Sequence, residues 1–147
     1  MDREVAVVLT AVTGGLVALQ APINSTLGKT IGTWQTVALS FAIGAVAMAG
    51  LASLTKGGLG QIANVRDVSV LYLTGGLLGA AYVSSVLVTV RYLGLGGVTV
   101  ATISAQLAVG VIVDHFGWLG VDKQPITLAR IVGVVLLAAG TYLVVRE

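Results

Sequence analysis

The chain has 147 residues, with 8 Lys or Arg, 6 Asp or Glu, one His and no Cys, for a net charge of +2. Only 10% of its residues are charged, against about 25% in an ordinary soluble domain. So few charges cannot solvate the large surface of a short chain. That speaks against a soluble enzyme, a nucleic-acid binder and a disordered chain, and leaves a small membrane protein.

Taken in order, Met1-Asp2-Arg3-Glu4 leads into an uncharged run over 5–28. The run exceeds the roughly 7–15 residues of a signal-peptide core and has no clear small-residue cleavage site, so a retained span is expected. Lys29, Lys56, Asp67, Arg91 and Asp114 then punctuate further uncharged runs, and a last apolar run after Pro125 is broken only by Arg130. Crossing a hydrocarbon core of about 30 Å takes about 20 apolar residues in a helix. Five spans are therefore expected, at about 5–27, 35–55, 68–90, 92–113 and 126–145, within a single membrane domain, 1–147. Val, Ile and Thr are common, yet continuous runs of this length exclude the alternating strands of a barrel. Lipid offers backbone groups no partner, so each run must be a helix.

Local signals agree. Lys56-Gly57-Gly58 suits a helix C-terminus, and Gln124-Pro125 suits the start of span five. The glycines of Tyr92-Leu93-Gly94-Leu95-Gly96-Gly97 are expected to carry a tight turn between spans three and four. Trp34, Tyr72, Tyr92, Phe116, Trp118 and Tyr142 fall near span ends, as an aromatic belt requires.

Five spans put the termini on opposite faces. The N-terminal face then carries Arg3, Lys56, Arg66, Lys123 and Arg130, and the other face Lys29, Arg91 and Arg146. This slight excess allows a fixed orientation with the N-terminus in the cytoplasm. It equally allows copies that insert both ways and pair as an antiparallel dimer, a ten-helix inverted-repeat bundle.

Polar side chains inside the spans are costly, so each has a structural and a functional reading. Gln20 and Asn24 share one face of span one, with Pro22 between them. They serve either as glue between helices or as the wall of a site at a broken or kinked helix. In span four, Thr99, Thr102, Gln106 and Gly110 share a stripe with Asp114 at its edge, which reads as a pathway lining or a packed interface. Gln20 lies about 6 Å and Gln106 about 4.5 Å beyond the midpoints of their oppositely directed spans, at 1.5 Å per residue. An inverted dimer would gather four amides around its centre. Tyr82, after Gly75 and Gly79, faces either an interface or the cavity. Asp114-His115 either caps span four at the interface or gates and couples transport, since histidine changes charge near neutral pH. Arg91 and Arg130 either snorkel to the interface or attract an anion.

No span holds a carboxylate at mid-depth. That argues against a cation exchanged at a central acid and favours a neutral or anionic solute, or an acid placed at a gate. The absence of Cys, the lone His and the scattered carboxylates leave no metal site, and no nucleophile set or phosphate loop supports an enzyme or a cofactor.

Several segments together resemble the YdcZ-like five-span branch of the drug/metabolite transporter superfamily. They are Gln20-Ala21-Pro22-Ile23-Asn24 with Gly28, Ser40-Phe41 with Gly44, Gly75-Gly76 with Gly79-Ala80 and Tyr82, Leu93-Gly94, Gln106-Leu107, Asp114-His115-Phe116-Gly117, and Arg130 with Gly133. The resemblance implies a half-size solute transporter that works as an antiparallel dimer. The four-span multidrug exporters related to this branch carry a Glu in span one. This chain has no acid there after Glu4, so their cation-proton exchange is not implied.

The expectation is thus an all-α, multi-pass protein of the bacterial inner membrane. It would move a small polar solute by alternating access, as an antiparallel homodimer or with a sister chain. Gln20, Asn24, Tyr82, Thr102 and Gln106 would bind, and Asp114, His115 and Arg91 would couple or gate. Membrane lipid is the other partner, and nucleic acid is not one. The rival readings are a passive pore for a small ion and a non-transporting partner subunit.

Overall fold

The computed structural model describes residues 2–146; Met1 and Glu147, the ends of the expected membrane domain, lie outside them. Among the described residues the chain is helical, without strands. The α-helices are α1 (Arg3–Ile31), α2 (Thr33–Ser53), α3 (Gly75–Phe116) and α4 (Leu128–Val145). Shorter 3-10 helices cover Gly58–Asp67, Val70–Thr74 and Trp118–Gly120. The β-branched residues give way to run length, as expected in lipid. Hydroxyls in these helices bond back to their own turns: Thr10 to the Ala6 carbonyl at 2.8 Å, Thr13 to Leu9 at 2.9 Å and Ser84 to Ala80 at 2.7 Å. Such side chains need no outside partner.

A straight helix of 42 residues such as α3 would extend about 63 Å, roughly twice the hydrocarbon core. Gly94 interrupts it, with φ 66° and ψ 173°. The two arms, 75–93 and 95–116, are then about 28 and 33 Å long, each close to one crossing. The four continuous helical stretches therefore hold four to five membrane-length segments. The break falls at Gly94, inside the glycine cluster expected to carry a tight turn.

Helix ends lie a few residues from the expected span limits, and at two helix starts a side chain shows why. The α-helix of span three begins at Gly75, because 70–74 coil more tightly and Ser69 Oγ accepts from the Leu71 amide at 3.3 Å. The helix of span five begins at Leu128, because Thr127 rather than Pro125 is its cap: the Thr127 hydroxyl accepts from the Arg130 amide at 3.3 Å. A cap hydroxyl satisfies one of the amides a helix start leaves unpaired. Pro125 stays in the non-helical connection.

Contacts divide the chain into two compact units, Met1–Val88 and Thr89–Glu147. In the first, α1 and α2 form a hairpin on Gly32, whose φ of 95° requires glycine. The Gly32 amide closes α1 on the Gly28 carbonyl at 3.1 Å, and its carbonyl accepts the Thr36 amide at 3.1 Å. Val37, Val83 and Leu87 make a small apolar core, with Leu87 and Thr36 fully buried. Gly79 leaves room for the Phe41 ring, which a Cβ there would meet at 3.7 Å. By contrast, Gly44, Gly75, Gly133 and Gly140 face open space.

In the second unit, the end of α4 approaches Gly97: a Cβ there would meet Val145 at 3.7 Å and Leu93 at 3.1 Å. Ser104 and Thr141 share a hydroxyl-hydroxyl bond. Ser104 also reaches the Leu137 carbonyl at 3.2 Å, and Thr141 the Val100 and Leu137 carbonyls at 3.1 and 2.9 Å. The Thr141–Leu137 bond lies within α4; the others join it to α3, and interhelical bonds of this type contribute about 0.6–2 kcal/mol in membranes. Thr141→Val is therefore expected to lower stability in detergent by about that much, and Ser104→Ala by no more. Because the hydroxyls share one bond, the double variant is expected to lose less than the sum, which a thermal-unfolding double-mutant cycle measures.

Apolar side chains cover the outside of both units. Val46 is 74% exposed, Leu77 73% and Leu128 77%. Acyl chains rather than water must meet such a surface.

Candidate functional site

Within the first unit, one candidate residue is buried. Asn24 is 5% exposed, where α1 packs on α2. Its Oδ1 accepts from Ser40 Oγ at 2.9 Å, while Nδ2 has no partner among the described residues. Asn24 and Ser40 are equidistant from Gly32 along the chain, so the hairpin brings them together. Pro22 lies inside α1, which continues through it as helix; its missing N–H leaves the Ala18 carbonyl without its usual helical donor. Gln20, one turn before Asn24, is exposed, and Tyr82 on α3 is 37% exposed. Neither side chain makes a hydrogen bond among the described residues.

The second unit holds a charged cluster where α3 ends and α4 begins. Arg130 Nη1 donates to Asp114 Oδ2 at 3.3 Å, and Nη2 donates to Gln124 Oε1. The backbone completes the knot: the Gln124 amide donates to the Asp114 carbonyl at 2.8 Å, and the Ile126 amide to His115 Nδ1 at 3.3 Å. That last bond uses the Nδ1 lone pair, so a neutral His115 carries its hydrogen on Nε2. The Asp114 and Arg130 side chains are 36% and 30% exposed, so the pair meets water and stabilises by no more than about 1 kcal/mol. Its clearer effect is geometric: it draws the connection 117–127 back onto the end of α3. Alongside it, Phe116 and Trp118 stack at 4.8 Å and His115 meets Phe116 edge-on at 4.9 Å. Thr102 is half-buried in α3, Gln106 is exposed on the same arm, and Arg91 is exposed. Gln106 makes no side-chain hydrogen bond among the described residues.

The candidates therefore fall into two kinds. Asn24 and the Asp114-His115 pair are held by the fold. Gln20, Tyr82, Gln106 and Arg91 sit on outward faces. Sequence reasoning missed the partners: Ser40 for Asn24, and Gln124 and Arg130 for Asp114. The first was signalled by the polar Ser40 opposite Asn24 across a glycine joint. The second was signalled by an acid and a base flanking the last connection.

Helices of this length and hydropathy, wrapped in exposed apolar side chains, define a multi-pass membrane protein. Residues 5–143 match the family described as "Putative inner membrane exporter, YdcZ", and the chain belongs to that family. It is accordingly a multi-pass inner-membrane protein of an exporter family rather than of an enzyme family. No curated protein and no solved structure matches the chain.

Proposed function

We propose that the chain is half of a secondary transporter, which moves a small polar, neutral or anionic solute by alternating access as an antiparallel dimer. One observation carries this reading: Gln20 and Gln106 are exposed amides, without partners among the described residues, on membrane-length apolar helices. An amide pressed into hydrocarbon costs several kcal/mol, roughly 4–8 on an alkane scale. Within its own unit, neither amide finds a partner among the described residues. A second copy inserted the opposite way would place its own amides at complementary depths and enclose a polar path between the two. Gln20, Asn24, Tyr82, Thr102 and Gln106 would contact the solute, and Asp114, His115 and Arg91 would gate or couple its passage. The lack of a mid-depth carboxylate argues for a solute that is not a cation.

Orientation tests the arrangement directly. The sequence contains no Cys, so one cysteine appended at the C-terminus is a unique label site. An impermeant maleimide is expected to label a comparable share of copies from each face of the membrane. Labelling from one face alone would fix the orientation and remove the inverted homodimer, leaving the second half to a sister chain.

A further inference from the structure

The connection between α2 and α3 is a structured element with two unlike sides. Its main part is the 3-10 helix Gly58–Asp67, ten residues long. At three residues per turn, side chains three apart eclipse one another and form straight rows. One row is Leu59, Ile62 and Val65, exposed by 45%, 64% and 39%. A second row is Gln61, Asn64 and Asp67. The third holds Gly60, Ala63 and Arg66. An apolar row and a polar row thus run side by side, each about 12 Å long at 2 Å per residue.

Position decides what the apolar row meets. Four residues separate the end of α2 at Ser53 from the 3-10 helix, and residues 54–58 are drawn into tight turns: Leu54 on Leu51 at 3.1 Å, Thr55 on Ala52 at 3.0 Å and Gly58 on Thr55 at 3.0 Å. The Gln61 side chain donates to the Lys56 carbonyl at 3.0 Å and closes the corner. The segment also keeps contact with α2. It has no slack with which to leave the membrane surface. Before it, Leu51 near the end of α2 and Leu54 just after that helix are exposed by 58% and 85%. On its other side it leads to Val70 and Leu71, exposed by 75% and 57%. Lys56 and Arg66 flank it, and neither has an ion-pair partner among the described residues.

We infer that residues 58–67 form an interfacial rib bound to the lipid surface, with Leu59, Ile62 and Val65 dipping into the acyl boundary and Gln61, Asn64 and Asp67 facing water. Lys56 and Arg66 lie where lipid phosphates do. This is the arrangement of an in-plane amphipathic helix, built on a three-residue repeat. It fixes α2 and the start of α3 at the depth of one leaflet boundary, whatever solute the protein carries.

Spin labelling tests the rib. Single Cys substitutions at 59, 61, 62, 64 and 65 carry a nitroxide in vesicles of phosphatidylethanolamine and phosphatidylglycerol. Collisions with oxygen, which concentrates in lipid, are compared with collisions with a water-soluble nickel chelate. Leu59→Cys, Ile62→Cys and Val65→Cys are expected to favour oxygen several-fold over Gln61→Cys and Asn64→Cys, with a period of three residues. All five positions are exposed, so labelling displaces no core contact. Equal access to the nickel chelate at all five would make the segment a solvated loop and overturn the proposal. Shielding of 59, 62 and 65 from both reagents would overturn it too, since a protein surface, such as a second copy, would then cover the row.

Discussion

Replacing Gly94 by alanine is expected to destabilise the protein, whereas Gly96→Ala, two residues on, leaves it unchanged or more stable. Gly94 has φ 66° and ψ 173°. L-residues are nearly absent from that region, and holding one there costs about 1–3 kcal/mol. A Cβ at Gly94 meets nothing within 4 Å, so the penalty arises from the backbone and cannot be relieved by repacking. Gly96 also faces open space, but in helical backbone, where alanine is favoured over glycine by about 0.5–1 kcal/mol. For a chain of this size each kcal/mol moves the thermal midpoint by about 2–4 °C. Opposite signs two residues apart are thus the expected result of a thermal scan in detergent. A midpoint for Gly94→Ala equal to that of the parent would mean that the interruption of α3 does not depend on this glycine.

That joint shows how far the sequence could be read. A single charged residue, Arg91, and a cluster of glycines announced an interruption, and the interruption lies at Gly94. The helices themselves were legible because hydrocarbon permits few alternatives: an apolar run long enough to cross must pair its own backbone. Their ends were less so, because a cap is a contact between one side chain and one amide. Pro125 and Thr127 are both sound helix-start signals, and only the hydroxyl geometry at Arg130 separates them. Tertiary partners were the least legible. Asn24 on Ser40, and Asp114 on Arg130, each join residues 16 apart, a separation that no helical periodicity marks. Gln20 and Gln106 stand apart from these. Neither has a hydrogen-bond partner among the described residues, so no contact within the chain explains them.

Asn24 offers the sharpest separation of packing from function. Whichever way its amide is turned, Ser40 reaches only one of its ends, and the other is buried without a partner. A buried unsatisfied polar group costs about 1–3 kcal/mol. Ser40→Ala alone is expected to destabilise by a similar amount, because it strands both ends of the amide. Adding Asn24→Leu removes the polar group altogether and replaces it with an apolar side chain of the same branched shape, somewhat larger than the amide. The double variant is therefore expected to recover at least the parent's thermal midpoint, a coupling that a double-mutant cycle reads directly. If Asn24 were only glue between α1 and α2, the double variant would instead lose the bond's full worth, about 0.6–2 kcal/mol. A stable protein without Asn24 then makes the functional reading testable. Counterflow of labelled small neutral and anionic solutes into proteoliposomes, screened first with the parent chain, is expected to fall at least tenfold in the double variant. Unchanged counterflow in a folded double variant would take Asn24 out of the site, because the unpaired amide end would then have no solute to meet.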